Sequence, residues 1–451
     1  MTQTLAWPRP PSAQVKSFRI GQNHSVAGFV QQAAKMDGCR APRTCDENLG
    51  HDTTTVVHGI NYGPDNQHVG EKNVMFGPPC VSMETLSHRE LVRRWNEIVR
   101  QHGWATLADN LDCESGVMAI GDTMVPYTKN EMTKETLCYT VSTVTHYYHY
   151  LKEEMDIVGL RFTKFMMIPP LWLIGFVLRF AKVDKAFAIN NFGLSTNLFP
   201  KGLKSSQWEE VVAKVQRSNP NHAILVRSVN RGLNSEDYDA LIGCGFKPMF
   251  ARNVLLFPFE PIEEYPRVKR RQILRDEGLG PKLGLRWLSD VKLNEEQASR
   301  VAKLYDQLYL GKYSRNTPRF TPLFHFECSN RKILNYQLLL DEDRIVGVLG
   351  MKVVDGVSTM PILGYDHHHP HAKVLYRILT AQIARTCSEN NFQRHASSGA
   401  NKFKILRGGV TNEEFTMVKT SHLSWWRRLN WGFIRWMAQK IGRPLTHKFE
   451  T

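Results

Sequence analysis

His395, Ser397, Ser398, Lys404 and Arg407 fall within one short stretch, HASSGANKFKILRGG at 395–409. An imidazole, two hydroxyls and cations among small residues suit holding a charged substrate better than filling a core. Proton transfer and stabilisation of an oxyanion ask for such groups: a carboxylate or imidazole to take a proton, donors for the developing negative charge, and firm positioning. Tyr365 and Asp366 complete the candidate set, because they end one strand while His395 sits on its expected neighbour. In this reading Asp366 is the base or the amine anchor, His395 an alternative base, and Ser397 or Ser398 an oxyanion donor. No base-and-orienter pair accompanies either serine, which argues against a serine nucleophile. Lys404 and Arg407 are three apart on a helical face and read as a phosphate or carboxylate clamp. Each has a plainer reading: Asp366 capping the turn before Pro370, His395 a buried structural histidine, and the two cations a solvated surface.

The elements that must position these groups can be read from periodicity and breakers. A short strand over 392–397, a break at Ser398-Gly399, a helix start over 401–406 and a Gly408-Gly409 stop frame the stretch. Before it come a helix over 294–309 and strands over 333–340, 345–354 and 357–365. Tight turns at Glu342-Asp343 and Asp355-Gly356 join these into a meander, and a helix over 372–388 with one apolar face follows. Earlier in the chain Ser87 can cap a helix with Glu90 three residues on. Strands are expected over 104–107, 116–120, 122–127, 186–190, 222–228 and 252–257, with helices over 208–216 and 235–242. The two units share an order of elements without a residue-level repeat. The expectation is an α+β chain: an irregular extension (1–78), a first unit (79–266), a basic linker (267–285), a second unit (286–422) and an aromatic, basic helix (423–451).

At 451 residues the chain exceeds one comfortable core. Its net charge of +15 favours an acidic partner, and residues 401–451, with ten Lys or Arg and three Glu, carry +7 of it. The eight cysteines form no CxxC pair, which argues against a disulfide scaffold or a Cys-rich zinc site and for a cytoplasmic setting. The N-terminal sequence carries no secretory pattern, and the apolar stretch 165–178 is short of the roughly 20 residues needed to span a bilayer.

The second unit, laid out as helix, three antiparallel strands, helix and strand, resembles the acyl-CoA N-acyltransferase (GNAT) superfamily, in particular its Fem-type and CelD-like branch with tandem domains. The carrying residues are GVLGMKVVDGVSTMPILGYD (347–366), LYRIL (375–379), SSGANKFKILRGG (397–409), the Glu413-Glu414 pair and HLSWWRR (422–428); NNFGLSTNLFP (190–200) and ILVRSVN (224–230) add to it in the first unit. The resemblance implies tandem GNAT-like domains, each a mixed, mainly antiparallel sheet flanked by helices. It also implies transfer of an acyl or aminoacyl group to a small-molecule amine from acyl-CoA or aminoacyl-tRNA, with the site in the second domain. Acetyl-CoA-using members show a stretch similar to (Gln/Arg)-x-x-Gly-x-(Gly/Ala), whose backbone N–H groups cradle a pyrophosphate. The corresponding GYDHHHPHAKVLYR has no glycine after Gly364. A diverged, non-catalytic protein that binds an anionic metabolite or a membrane-associated substrate is the alternative.

His367, His368, His369 and His371 are adjacent on a turn and lack a partner at ligand spacing, so no metal is assigned. Arg227 and Arg252 sit in apolar strands and must each find a carboxylate or a ligand. The stretch 423–441, LSWWRRLNWGFIRWMAQKI, can dock on its own domain, lie peripherally in a membrane interface, or stack on RNA such as tRNA. DNA is not expected as a partner.

Overall fold

A computed structural model describes residues 83–132, 137–149, 153 and 174–450. The extension 1–78, the first part of the apolar stretch 165–178 and most of a helix expected over 147–158 lie outside them.

Helix α1 (His88–His102) starts where Ser87 accepts a hydrogen bond from the Glu90 N–H, and Leu91, Trp95 and Ile98 bury one face. It stops at Gly103, whose φ of 74° an L side chain rarely adopts. The next residues, Trp104–Leu107, were expected as a strand and are instead a single helical turn. Trp104 and Leu107 both point into the core, a three-residue recurrence that strand alternation cannot give.

Strands β1 (Glu114–Ile120), β2 (Thr123–Asn130) and β3 (Ala186–Ile189) form an antiparallel meander, helix α2 (Ser205–Ser218) crosses over, and β4 (Ala223–Asn230) pairs parallel to β3. Helix α3 (Ser235–Gly243) and β5 (Lys247–Phe257) follow. The arginine-rich run read as a linker is helix α4 (Arg267–Glu277), which buries Ile273 and Asp276 and leaves its cations unburied.

The later half repeats the plan. After β6 (Arg286–Leu288), helix α5 (Glu295–Leu308) begins with a capping box between Asn294 and Gln297. Helix α6 (Pro322–Asn330) precedes the meander β7 (Asn335–Asp341), β8 (Arg344–Val354) and β9 (Val357–Tyr365). Its turns need left-handed backbone, and Glu342, Asp355 and Gly356 have φ of 52°, 47° and 80°. Gly364 is where α5 crosses β9: a Cβ there would lie 2.6 Å from the Leu304 carbonyl carbon. Helix α7 (Ala372–Glu389) then crosses to β10 (Gln393–His395), parallel to β9, and the short α8 (Asn401–Ile405), β11 (Val410–Lys419), α9 (Trp425–Met437) and a last helix at Arg443–Glu450 follow.

All strands join one sheet in the order β1-β2-β3-β4-β11-β5-β10-β9-β8-β7-β6. The fold is therefore α+β, a large and mostly antiparallel sheet flanked by helices. The last strand of each half is exchanged: β11 lies between β4 and β5, and β5 pairs antiparallel with both β11 and β10. Each half is thus a meander, a parallel strand and a strand borrowed from the other half.

Candidate functional site

Strand β10 pairs with β9 over only three positions, 393–395 against 357–359, whereas β9 runs on to Tyr365. No described strand covers that edge of β9 beyond Thr359, and the sheet opens there. A cavity of about 730 Å³ occupies the opening, with Met360 and Leu363 of β9, Tyr376 and Thr380 of α7, and Phe250 and Phe257 of β5 among its walls. His395, Ser397, Ser398, Lys404 and Arg407 all line it. The structure therefore brings five of the seven sequence candidates together.

The other two lie elsewhere. Tyr365 packs its ring against His367 and Tyr376, in the core under α7, and does not reach the cavity. Asp366 is 1% exposed; one oxygen takes Arg300 at 2.9 Å and Arg344 at 2.5 Å, and the other accepts the His368 N–H. Burial opposes its ionisation, yet the His368 N–H and the two guanidiniums hold its pKa below the ordinary value. The expected approach of Asp366, Tyr365 and His395 to one cleft does not occur, because His395 at the end of β10 pairs with Thr359, six residues before Tyr365 along β9.

The turn after β10 is tight: Ser397, Gly399 and Ala400 have φ of 53°, 83° and 51°. Two non-glycine residues in left-handed backbone need support, on the order of 1 kcal/mol each. Lys404 supplies it by donating its ammonium to the Ala396 and Ser398 carbonyls at 2.6 and 3.0 Å. Arg407 is likewise engaged: its Nε and Nη2 donate to one Asp276 oxygen and its Nη1 to the Phe403 carbonyl, while the other Asp276 oxygen takes Arg377. These two cations, expected as a substrate clamp, hold the turn and the α4–α7 junction.

A polar chain runs behind the turn. Arg252 donates to Glu414 at 2.7 Å and to Ser195 and Thr196, and the Thr196 hydroxyl meets that of Ser397 at 2.7 Å. The Ser397 N–H donates to His395 Nδ1 at 3.2 Å, which leaves the ring proton on Nε2, 3.2 Å from the second Glu414 oxygen. That contact has ion-pair range, off the line of a hydrogen bond. Burial would raise the Glu414 pKa, but Arg252 and His395 outweigh it and hold it at about 2, so the carboxylate is ionised at neutral pH. His146, also on the cavity wall, is pushed down to about 3 by burial and by Arg227 and Arg252.

One wall residue escaped the sequence reading. Arg394 is 9% exposed, its Nε has no hydrogen-bond partner, and its guanidinium carbon lies 3.5 Å over the Phe257 ring. No described carboxylate pairs with it, and burial pushes its pKa down. Lys352 Nζ is also buried without a hydrogen-bond partner, over the Phe192 ring, but it does not line this cavity. The rule that flagged Arg227 and Arg252, a cation in a buried strand, picks out Arg394 as well once β10 is recognised as a central strand. Arg252 resolves onto Glu414, and Arg227 donates to the Thr140 carbonyl.

A coenzyme A diphosphate does not fit the start of α7. The N–H groups of residues 366–369, 371, 372 and 374 are taken by Val346, Gln307, Asp366, His369 and His371. Among the described residues no group of three or more His, Cys, Asp or Glu could hold a metal ion, and no helix is long and apolar enough to cross a membrane.

No family model and no curated protein matches the chain. Solved structures do. Its structural neighbours include GNAT proteins. The C-terminal domain (DUF2156) of a putative lysylphosphatidylglycerol synthetase from Agrobacterium fabrum matches at 10% identity and a TM-score of 0.37, over 48% of this chain and 75% of that one. FemX matches at 9% and 0.35, over 47% and 75%. A tandem GNAT protein from the clavulanic acid biosynthesis pathway matches at 8% and 0.30, over 52% and 74%.

Proposed function

We propose that this chain transfers an acyl or aminoacyl group to an amine in the cavity beside β10, and that the bound species is an amphiphile with one anionic group. The observation that carries this reading is Arg394, a buried cation facing apolar walls with no carboxylate partner among the described residues. A buried charge is costly until it is paired, so a carboxylate or phosphate arriving with an apolar chain satisfies both the guanidinium and the walls.

In the reaction the amine nitrogen attacks the donor carbonyl carbon, a C–N bond forms, and the bond to the donor's leaving group breaks with its electron pair. The amine proton passes to His395 Nδ1, taking the place of the Ser397 N–H, and from there to the leaving group. The Glu414 carboxylate steadies the imidazolium, and the Ser398 hydroxyl, which lines the cavity, donates to the oxyanion. Positioning by the walls and Arg394 supplies much of the rest. The closed start of α7 favours a donor held by its acyl chain over one held by a coenzyme A diphosphate, and an aminoacyl-tRNA remains within the class. A second reading, ligand binding without chemistry, is favoured by His395 Nδ1, which already accepts the Ser397 N–H.

The test uses purified protein and dodecanoylglycine as a product-like probe, beside a panel of acyl-CoA, aminoacyl-tRNA and amine acceptors read by mass spectrometry. Transfer is expected with at least one pair, lost in His395→Ala while the probe still binds. Probe binding without turnover selects the second reading. Undiminished turnover in both His395→Ala and Glu414→Gln rules out the mechanism.

A further inference from the structure

The helix α9 has two apolar faces, of which the fold uses one. Arg427, Trp431 and Ile434 turn inward and are buried, and Arg427 fastens the helix by donating to the Ala181, Lys182 and Asn221 carbonyls. On the other side Trp425, Leu429, Phe433 and Trp436 are 67%, 63%, 41% and 52% exposed. Their spacing of four, four and three places them in one stripe. Phe176 and Phe180 of the neighbouring helix at 174–180 widen it, at 52% and 67% exposure, and Phe180 meets Trp426 with ring centroids 5.6 Å apart. A contiguous patch of this kind on a protein surface marks an interaction site.

Its border is cationic. Lys182, Arg428, Arg435 and Lys440 have no carboxylate partner among the described residues, and residues 423–442 contain neither Asp nor Glu. Aromatic and aliphatic side chains in one stripe, with unpaired cations beside it, match the boundary between headgroups and acyl chains of an anionic bilayer. Nucleic acid fits less well, because Leu429 lies within the stripe and the cations flank it without alternating with the rings.

We infer that this face of α9, together with the helix at 174–180, seats the protein on an anionic membrane surface. The same segment reaches the cavity: Ile434, Met437, Ala438 and Ile441 line it, and Ile441 is itself 47% exposed. Wall and outer surface therefore meet at Ile441, so the seated protein presents an edge of its cavity to the bilayer. The seating does not depend on acyl transfer, and its assay reads partition alone.

The test is flotation of the full chain with vesicles of phosphatidylcholine, or of phosphatidylcholine mixed with phosphatidylglycerol, followed by tryptophan fluorescence. Binding to the mixed vesicles is expected, with a blue shift and with weakening at high salt. Leu429→Asp with Trp436→Asp, both at exposed positions, should abolish it. Arg428→Ser and Lys440→Ser should each weaken it about fivefold. Flotation unaffected by these changes, or none by the parent chain, overturns the inference. Dimers that the Asp variant disperses, with no flotation by the parent, would assign the face to a second copy of the chain, and retention of RNA in place of vesicles would assign it to nucleic acid.

Discussion

Replacing Arg394 with Met should make the empty protein no less stable while removing its grip on the ligand. In the parent chain the guanidinium is buried with an unpartnered Nε, a situation that costs about 1–3 kcal/mol. Its contact with the Phe257 ring returns about 0.5–2 kcal/mol. Met keeps the apolar stem against Phe257 and leaves nothing to solvate, so urea unfolding should show a gain of roughly 0–2 kcal/mol at unchanged m-value. Dodecanoylglycine at about 100 times its Kd should stabilise the parent by about 2.7 kcal/mol and the variant hardly at all. Arg407→Met is the control on the same cavity wall: it strips one of the two arginines from buried Asp276 and should cost about 3 kcal/mol. If Arg394→Met instead costs more than about 1 kcal/mol and the probe stabilises it as it does the parent, Arg394 is a structural residue and the reasoning fails.

Glu414→Gln should lower stability at neutral pH. The folded-state pKa of Glu414 lies below its ordinary value of 4.5, at about 2, so its contribution is present above pH 4.5 and is lost as pH falls toward 2. That contribution is about 3 kcal/mol at most, and the variant should lose it at pH 7 and show a flatter acid limb in urea titrations between pH 4.5 and 2. Gly364→Ala should push α5 off β9, since its Cβ meets main-chain atoms of Leu304 and Tyr305 that no rotamer change can clear; thermal unfolding should report a loss of at least about 2 kcal/mol.

Much of the second half was legible because its signals are local. The three-residue and four-residue recurrence in α5 and α7 and the turn chemistry of Asp355-Gly356 depend on neighbours in sequence, as does the Ser87 cap in the first half. The polar turn at 395–409 was legible as a segment lining an opening for the same reason, since few cores tolerate that composition. What stayed hidden depends on partners far along the chain. Lys404 and Arg407 read as ligand clamps because the carbonyls and the carboxylate that hold them, Asp276 above all, belong to other elements. Asp366 read as reactive because Arg300 and Arg344 approach it from α5 and β8. Asp276 lay in a run of cations that looked solvated, and nothing in the alternation of β5 or β11 says which strands will flank them.

The exchange of β5 and β11 also sets an order in time. Ile224 of β4 pairs with Lys419 of β11, so the inner edge of the earlier half waits for nearly the whole chain to be made. Until then β4 and β5 expose facing edges to any extended segment nearby, a recognised route to misassembly. Pairings this distant in sequence also slow folding. Neither half is a finished object before the other's last strand arrives, and the cavity, bounded by β5 from one half and β9 and β10 from the other, belongs to neither half alone.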